Sequence, residues 1–145
     1  GWRPRPGAPG LRGGRPVTRS FSFRVDGIPA PQGSKRHVGN GRMIEMSKKV
    51  GPWRDRVFHT ARRDFTGEPF DGPLEVSIVF YLTRPKTVTR AYPSVVPDID
   101  KLARSTNDAL TIAGVITDDA RIVDLHLSKR YGEPGADITV SEVAA

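Results

Sequence analysis

Six aspartates fall between residues 98 and 129, against four Lys or Arg, in a chain that is otherwise strongly basic. Asp98 follows Pro97 directly, with Asp100 two residues on. Proline disfavours helical backbone at the residue before it, so a boundary is expected near Val96. Two positions apart in extended backbone, the two carboxylates point to the same side. Inside a helix they would diverge by about 200°. At the junction of strand-like and helical backbone they can converge on one cation, and a helix N-terminus favours their charged form. Either aspartate alone could be an N-cap, but one cap does not account for two.

From Asp100, steps of four reach Arg104 and Asp108, on one helix face with Lys101 beside it. A cation next to a bound phosphate stabilises the added charge of a pentavalent transition state. The same spacing also describes a surface ion-pair ladder worth about 0.2–0.5 kcal/mol per pair. Asp108 is assigned to the ladder, and Lys101 and Arg104 fit either role. Asp118 and Asp119 lie where the chain must turn back after the helix. Adjacent strand residues face opposite ways, so one of the pair is expected at the metal and the other in the turn. Asp124 is expected on the polar side of a strand. Carboxylates without Cys or paired His point to Mg²⁺ or Mn²⁺.

Other chemistries find no support. Cysteine is absent, which removes thiol nucleophiles, thiolate metal sites and disulfide scaffolds. His37, His59 and His126 lack the spacing of a zinc pair. There is no Gly-x-Ser-x-Gly elbow. The GSK tripeptide at 33–35 lacks the order of a phosphate-binding loop. No apolar run approaches the roughly 18 residues of a membrane span, and no signal peptide is evident. A cytoplasmic setting is expected.

The elements that must position these residues read in the order β–α–β–α–β–β. Phe21, Phe23 and Val25 alternate with polar neighbours over 20–28, as in a half-buried strand. Residues 29–46 form a punctuated loop. A helix is expected over 47–65, capped by Ser47 or Gly51 with Pro52 in its first turn. Its stripe is Val50, Trp53, Val57, Ala61 and Phe65. Residues 73–83 alternate as a strand with Leu74, Val76, Ile78, Phe80 and Leu82 inward. A second helix is expected from Asp98–Asp100 to about Ala113, burying Ile99, Leu102, Ala103, Thr106, Leu110 and Ala113, with Gly114 as its C′ residue. Strands follow at 121–131, with Val123, Leu125 and Leu127 inward, and at 136–143, with Ile138 and Val140 inward. The fold class is α+β, one mixed sheet of about four strands with two helices. Residues 1–19, rich in Gly, Pro and Arg, are expected to be a flexible tail on a single domain of 20–145.

Charge adds a partner. The net charge is +7, and residues 31–63 carry nine Lys or Arg against two acids. Basic surface collects a phosphate backbone, and a few hard oxygen ligands hold a cation where the bond is cut. Lys35, Arg36, Arg42, Lys48 and Arg54 are the expected DNA contacts. The bland reading of the charge is solubility.

The stretch PDIDKLARSTNDALTIAGVITDDARIVDLHLSK at 97–129 closely resembles the signature of RusA-type Holliday junction resolvases. Asp-x-Asp at a helix start, Asp-Ala-Leu later in that helix, Asp-Asp and a strand ending in Lys are all present. GIPAPQGSKR at 27–36 resembles the family's Pro-rich N-terminal loop. The resemblance implies a homodimeric, Mg²⁺-dependent endonuclease that nicks four-way DNA junctions in opposed strands, often in phage or prophage contexts. It implies Asp98, Asp100 and Asp119 as metal-binding carboxylates, with Asp118 a fourth candidate. The family's catalytic basic residue in this helix, typically Lys, falls by gap-free spacing on Arg104. Arginine keeps the charge but does not release a proton, so Lys101 is the nearest substitute. A less specific metal nuclease and a non-catalytic DNA-binding protein are the competing readings.

Overall fold

The computed structural model describes residues 19–31 and 51–144. Its elements are β1 (Ser20–Asp26), α1 (Gly51–Asp64), β2 (Leu74–Leu82), α2 (Ile99–Ile112), a 3-10 turn (Asp119–Arg121), β3 (Ile122–Tyr131) and β4 (Gly135–Glu142). This is the expected order. The four strands form one mixed sheet in the order β1-β4-β2-β3. β4 pairs antiparallel with both β1 and β2, and β2 pairs parallel with β3. A parallel pair needs a crossover, and α2 with its flanking segments supplies it.

Period-two alternation makes one face of the sheet apolar. Phe23, Val25, Val76, Ile78, Phe80, Ala136, Ile138 and Val140 are all buried. The opposite face is polar, with Ser22 bonded to Thr139 and Ser20 to Ser141 across β1 and β4. The helices close over the apolar face. From α1 come Trp53, Val57 and Ala61, spaced four apart, and from α2 come Leu102, Ala103, Thr106 and Leu110. The two helices are locked by a buried bond from Trp53 Nε1 to Thr106 Oγ1, 3.0 Å long, while the threonine hydroxyl donates to the Leu102 carbonyl. Val50, Ser47, Lys48 and the expected loop residues Lys35, Arg36 and Arg42 lie outside the described residues.

Two expectations need correction. Val123 and Leu125 were expected inward, yet they are 59% and 42% exposed, and Leu127 is only half-buried. β3 is the edge strand, so its flank lacks the cover that the helices give β2 and β4. The boundary of the expected tail also moves. Arg19 belongs to the body, its guanidinium lying 4.2 Å from the Phe70 ring centroid and donating to the Glu68 carbonyl.

Candidate metal and DNA-processing site

α2 carries most of the chemistry, and its two ends are built differently. At the N-terminal end, Asp98 takes the N-cap position with extended backbone (φ −66°, ψ 141°). Its carbonyl accepts from the Lys101 and Leu102 amides. Its side chain makes no capping bond. A capping aspartate would spend its carboxylate on the N2 or N3 amide, so this one is left for another ligand. Asp100 lies exposed in the first helical turn. Lys101 Nζ stands 3.7 Å from Asp98 Oδ2, both groups largely in solvent, a pairing worth at most about 1 kcal/mol. Arg104 is exposed one turn further on.

The segment before Asp98 is held from the sheet. Lys129, near the end of β3, donates from Nζ to the Val95 carbonyl at 2.6 Å and to the Pro97 carbonyl at 2.9 Å. The next residue, Arg130, lies with its guanidinium 5.2 Å from the Tyr92 ring centroid.

The C-terminal end is more enclosed. α2 stops in a Schellman arrangement. Gly114, at φ +82°, donates to the Thr111 carbonyl, and Val115 donates to the Leu110 carbonyl. The chain then bridges to Phe70, whose amide and carbonyl bond Val115 and Thr117. Asp71 fixes the return by accepting from the Thr117 hydroxyl at 2.7 Å and from Arg121 Nε at 3.3 Å. Those two donors hold the Asp71 carboxyl below its ordinary range.

This return sorts the adjacent aspartates. Asp118 Oδ1 accepts from the Ala120 amide at 2.9 Å and caps the 3-10 turn. Asp119 turns toward α2 and accepts from the Thr111 hydroxyl. Burial pushes its carboxyl up, against the Thr111 bond, and the neighbouring Asp108 and Asp118 carboxyls push the same way. Asp108 therefore sits within hydrogen-bond reach of Asp119, a partnership that the ladder reading did not include. Thr111 was not singled out from the sequence. Its signal was present in the helical spacing, three residues beyond Asp108 on the same face.

The carboxylates and their neighbours on and around α2 thus form two groups. Asp98, Asp100 and Lys101 stand at the start of α2, and Asp108, Asp119 and Thr111 at its end. Asp100 and Asp108 are eight residues apart, about 12 Å along the axis. Among the described residues, no three His, Asp or Glu side chains are gathered closely enough to hold an ion. His126 lies apart, with Nε2 3.1 Å from Glu75 Oε2. Asp124 is exposed on β3. Arg54, the one expected DNA contact within the described residues, lines a groove of about 250 Å³ between α1 and α2 with His59 and Ile112. No helix among the described residues is long and apolar enough to cross a membrane.

Comparison with known proteins gives these features a family. Residues 26–141 match the family model described as Endodeoxyribonuclease RusA. The chain is 27% identical over 115 residues to the Crossover junction endodeoxyribonuclease RusA of Aquifex aeolicus (strain VF5), covering 78% of this chain and 84% of that protein. It is 28% identical over 140 residues to the Uncharacterized protein YqaN of Bacillus subtilis (strain 168), covering 86% of this chain and 98% of that protein. The family match takes in both ends of α2 and every strand from the end of β1 onward, and on it the chain belongs to the RusA endodeoxyribonuclease family.

Proposed function

We propose that this chain is a Mg²⁺-dependent, structure-selective endodeoxyribonuclease that resolves four-way junctions by paired symmetric nicks as a homodimer. The observation that carries the reading is Asp98. It occupies an N-cap position without capping, beside the exposed Asp100, in a chain that matches an endodeoxyribonuclease family. An exposed pair of carboxylates at a helix start, with only a loose contact to Lys101, is what a hard cation needs. Mn²⁺ has the same preference for oxygen and is expected to substitute.

The donor set fits Mg²⁺ in chemistry, all carboxylate with no thiolate and no paired imidazole. A single chain divides it between the two ends of α2. A second copy, related by a two-fold axis, would set Asp98 and Asp100 of one subunit against Asp119 of the other. Exposed apolar side chains support such a partner. Val123 and Leu125 lie on β3, and Val95 and Val96 lie in the segment that Lys129 holds. Exposed apolar groups of this kind mark interaction surfaces. Two equivalent sites facing a two-fold junction also account for paired cuts.

Bound there, Mg²⁺ supplies Lewis-acid stabilisation of charge on the scissile phosphate. The chain supplies the rest. Lys101 and Arg104 face that phosphate with fixed positive charge. Arg54 and the basic residues of the 31–49 stretch track the backbone. Asp118 keeps the turn that aims Asp119.

The test uses Mg²⁺, a labelled four-way junction and a matched linear duplex, with Asp100→Asn beside the wild type. Symmetric nicking of the junction alone, lost in the variant, supports the reading. Equal cutting of both DNAs makes it a general metal nuclease. Tight junction binding without cutting makes it a DNA-binding protein. Mixing Asp100→Asn with Asp119→Asn then tests the shared site. Randomly mixed dimers recover about a quarter of the wild-type sites if the carboxylates come from two subunits, and none if they come from one.

A further inference from the structure

We propose that Lys129 is a positioning residue that sets the Asp98 and Asp100 carboxylates, so that cation affinity depends on a side chain from the far end of the sheet. The inference rests on the metal-site reading above and deepens it.

The geometry is specific. The Lys129 ammonium donates to two carbonyls, Val95 at 2.6 Å and Pro97 at 2.9 Å, and both belong to the segment that delivers Asp98. The Pro97 carbonyl is one peptide bond from Asp98. A shift of that carbonyl rotates the backbone carrying the candidate ligand. The segment's other anchors include the buried Pro93 and a backbone bond from the Ser94 amide to the Tyr92 carbonyl, both upstream of Val95. Val95, Val96 and Asp98 are exposed, and Asp98 makes no side-chain cap. Proline provides no amide at position 97, so the helix entry cannot be tied down through an N–H there.

Lys129 itself is well held. It lies in the β2–β3 pairing opposite Phe80, whose side chain is buried in the core. The Arg130 guanidinium donates to the Lys129 carbonyl at 2.8 Å and lies against the Tyr92 ring. The end of β3 therefore holds the 92–97 segment at two points. One is a charge-assisted pair of hydrogen bonds, the stronger kind of hydrogen bond. The other is an aromatic contact at a more exposed ring. Outer groups that orient metal-binding side chains typically change affinity or activity by about 10–100-fold when removed.

The experiment titrates Mn²⁺ alone into the full-length wild type, Lys129→Met and Lys129→Arg by calorimetry. Junction cleavage is followed in parallel to separate kcat from KM. Met keeps the apolar stem but carries no donor. The expected result is a Mn²⁺ affinity lowered about ten-fold or more, with kcat lowered in step and KM for the junction within two-fold of wild type. Arg offers N–H donors to the same carbonyls and is expected to recover a large part of both losses. A purely structural lysine would lower thermal stability without this split and without rescue. Should Lys129→Met not fold, Lys129→Gln gives the same comparison, since its amide falls short of both carbonyls. A folded variant that binds Mn²⁺ and turns over as the wild type does overturns the proposal while leaving the metal site intact. A wild type that neither binds Mn²⁺ nor cleaves overturns the metal-site reading and the proposal with it.

Discussion

The two ends of α2 carry the same residue type in opposite states. At the start, Asp98 and Asp100 stand in solvent, and Asp98 makes a loose contact with Lys101. At the end, Asp119 is half-buried, bonded to Thr111 and pressed against Asp108. The first pair stays hydrated in the folded chain. The second is a local conflict, two acids sharing an enclosed space, which a proton or a cation relieves. A carboxylate's surroundings, not its presence in a motif, set its state in the fold.

The sharpest way to break this comparison is to neutralise each end in turn. Asp98→Asn, Asp100→Asn and Asp119→Asn should each lower Mg²⁺-dependent cleavage by a factor on the order of 10²–10³, the scale for removing one electrostatic contributor to a transition state. Junction binding in the presence of a chelator should stay within a few-fold of wild type, since the basic residues are untouched. Gel-shift and single-turnover assays on the same preparations separate the two. Cleavage that survives at one end would show that only the other end holds the metal.

A smaller effect is expected from the hydroxyl that aims Asp119. Thr111→Val keeps the side-chain shape and removes the donor. Loss of a supporting bond of this kind typically costs about ten-fold in metal affinity or turnover. The corresponding fall in Mn²⁺ affinity by calorimetry would tie Thr111 to the site. An unchanged affinity would confine it to the fold.

The ends should also differ in their effect on stability, and Asp119 sets the sign. Its carboxyl is raised in the folded chain, by burial first and then by Asp108 and Asp118. Between the ordinary and the raised value, the folded state holds a proton that the unfolded state has already released. Metal-free stability from this group falls as pH rises from the ordinary Asp range through the raised value. Asp119→Asn removes that loss, because its amide can donate to Asp108 and its oxygen can still accept from Thr111. The metal-free variant should melt higher than wild type at neutral pH, and the gap should close at acidic pH. Asp100→Asn should show no such gain. Calorimetric melts at pH 4 and pH 7 in chelator decide it. Asp71 has the opposite sign, since the Thr117 hydroxyl and Arg121 lower its carboxyl, and its contribution is lost as pH falls.

Sequence pattern made much of this legible, for particular reasons. The alternation at 74–82 and the 3.6-residue stripe of α2 are periodic signals, and each followed one buried face. Pro97 and Gly114 marked the two ends of α2 through backbone chemistry that is local. What the pattern missed depended on position in three dimensions. Val123 and Leu125 alternate as an inward set would, but whether an alternating strand is covered depends on its rank in the sheet, and β3 is outermost. Asp108 sits on a face that reads as an ion ladder, and only the fold back through Phe70 brings Asp119 against it. Lys129 is distant in sequence from the carbonyls it holds, so no spacing rule could connect them.

The smallest effect, and the one that most finely divides neighbouring residues, concerns Asp118. It adjoins Asp119, yet its Oδ1 accepts from the Ala120 amide and caps the turn. Asp118→Ala should cost about 0.5–2 kcal/mol of stability, the range for a lost cap, with cleavage lowered only as far as the turn loosens. Asp118→Ser separates the cap from the charge. Serine caps nearly as well but is a poor ligand for Mg²⁺. If Asp118 acts through the turn, Ser restores both the melting temperature and the cleavage lost in Ala. If Asp118 contributes its charge to the cation, Ser restores the melting temperature alone, and the site gains a fourth carboxylate next to the one that the fold aims at α2.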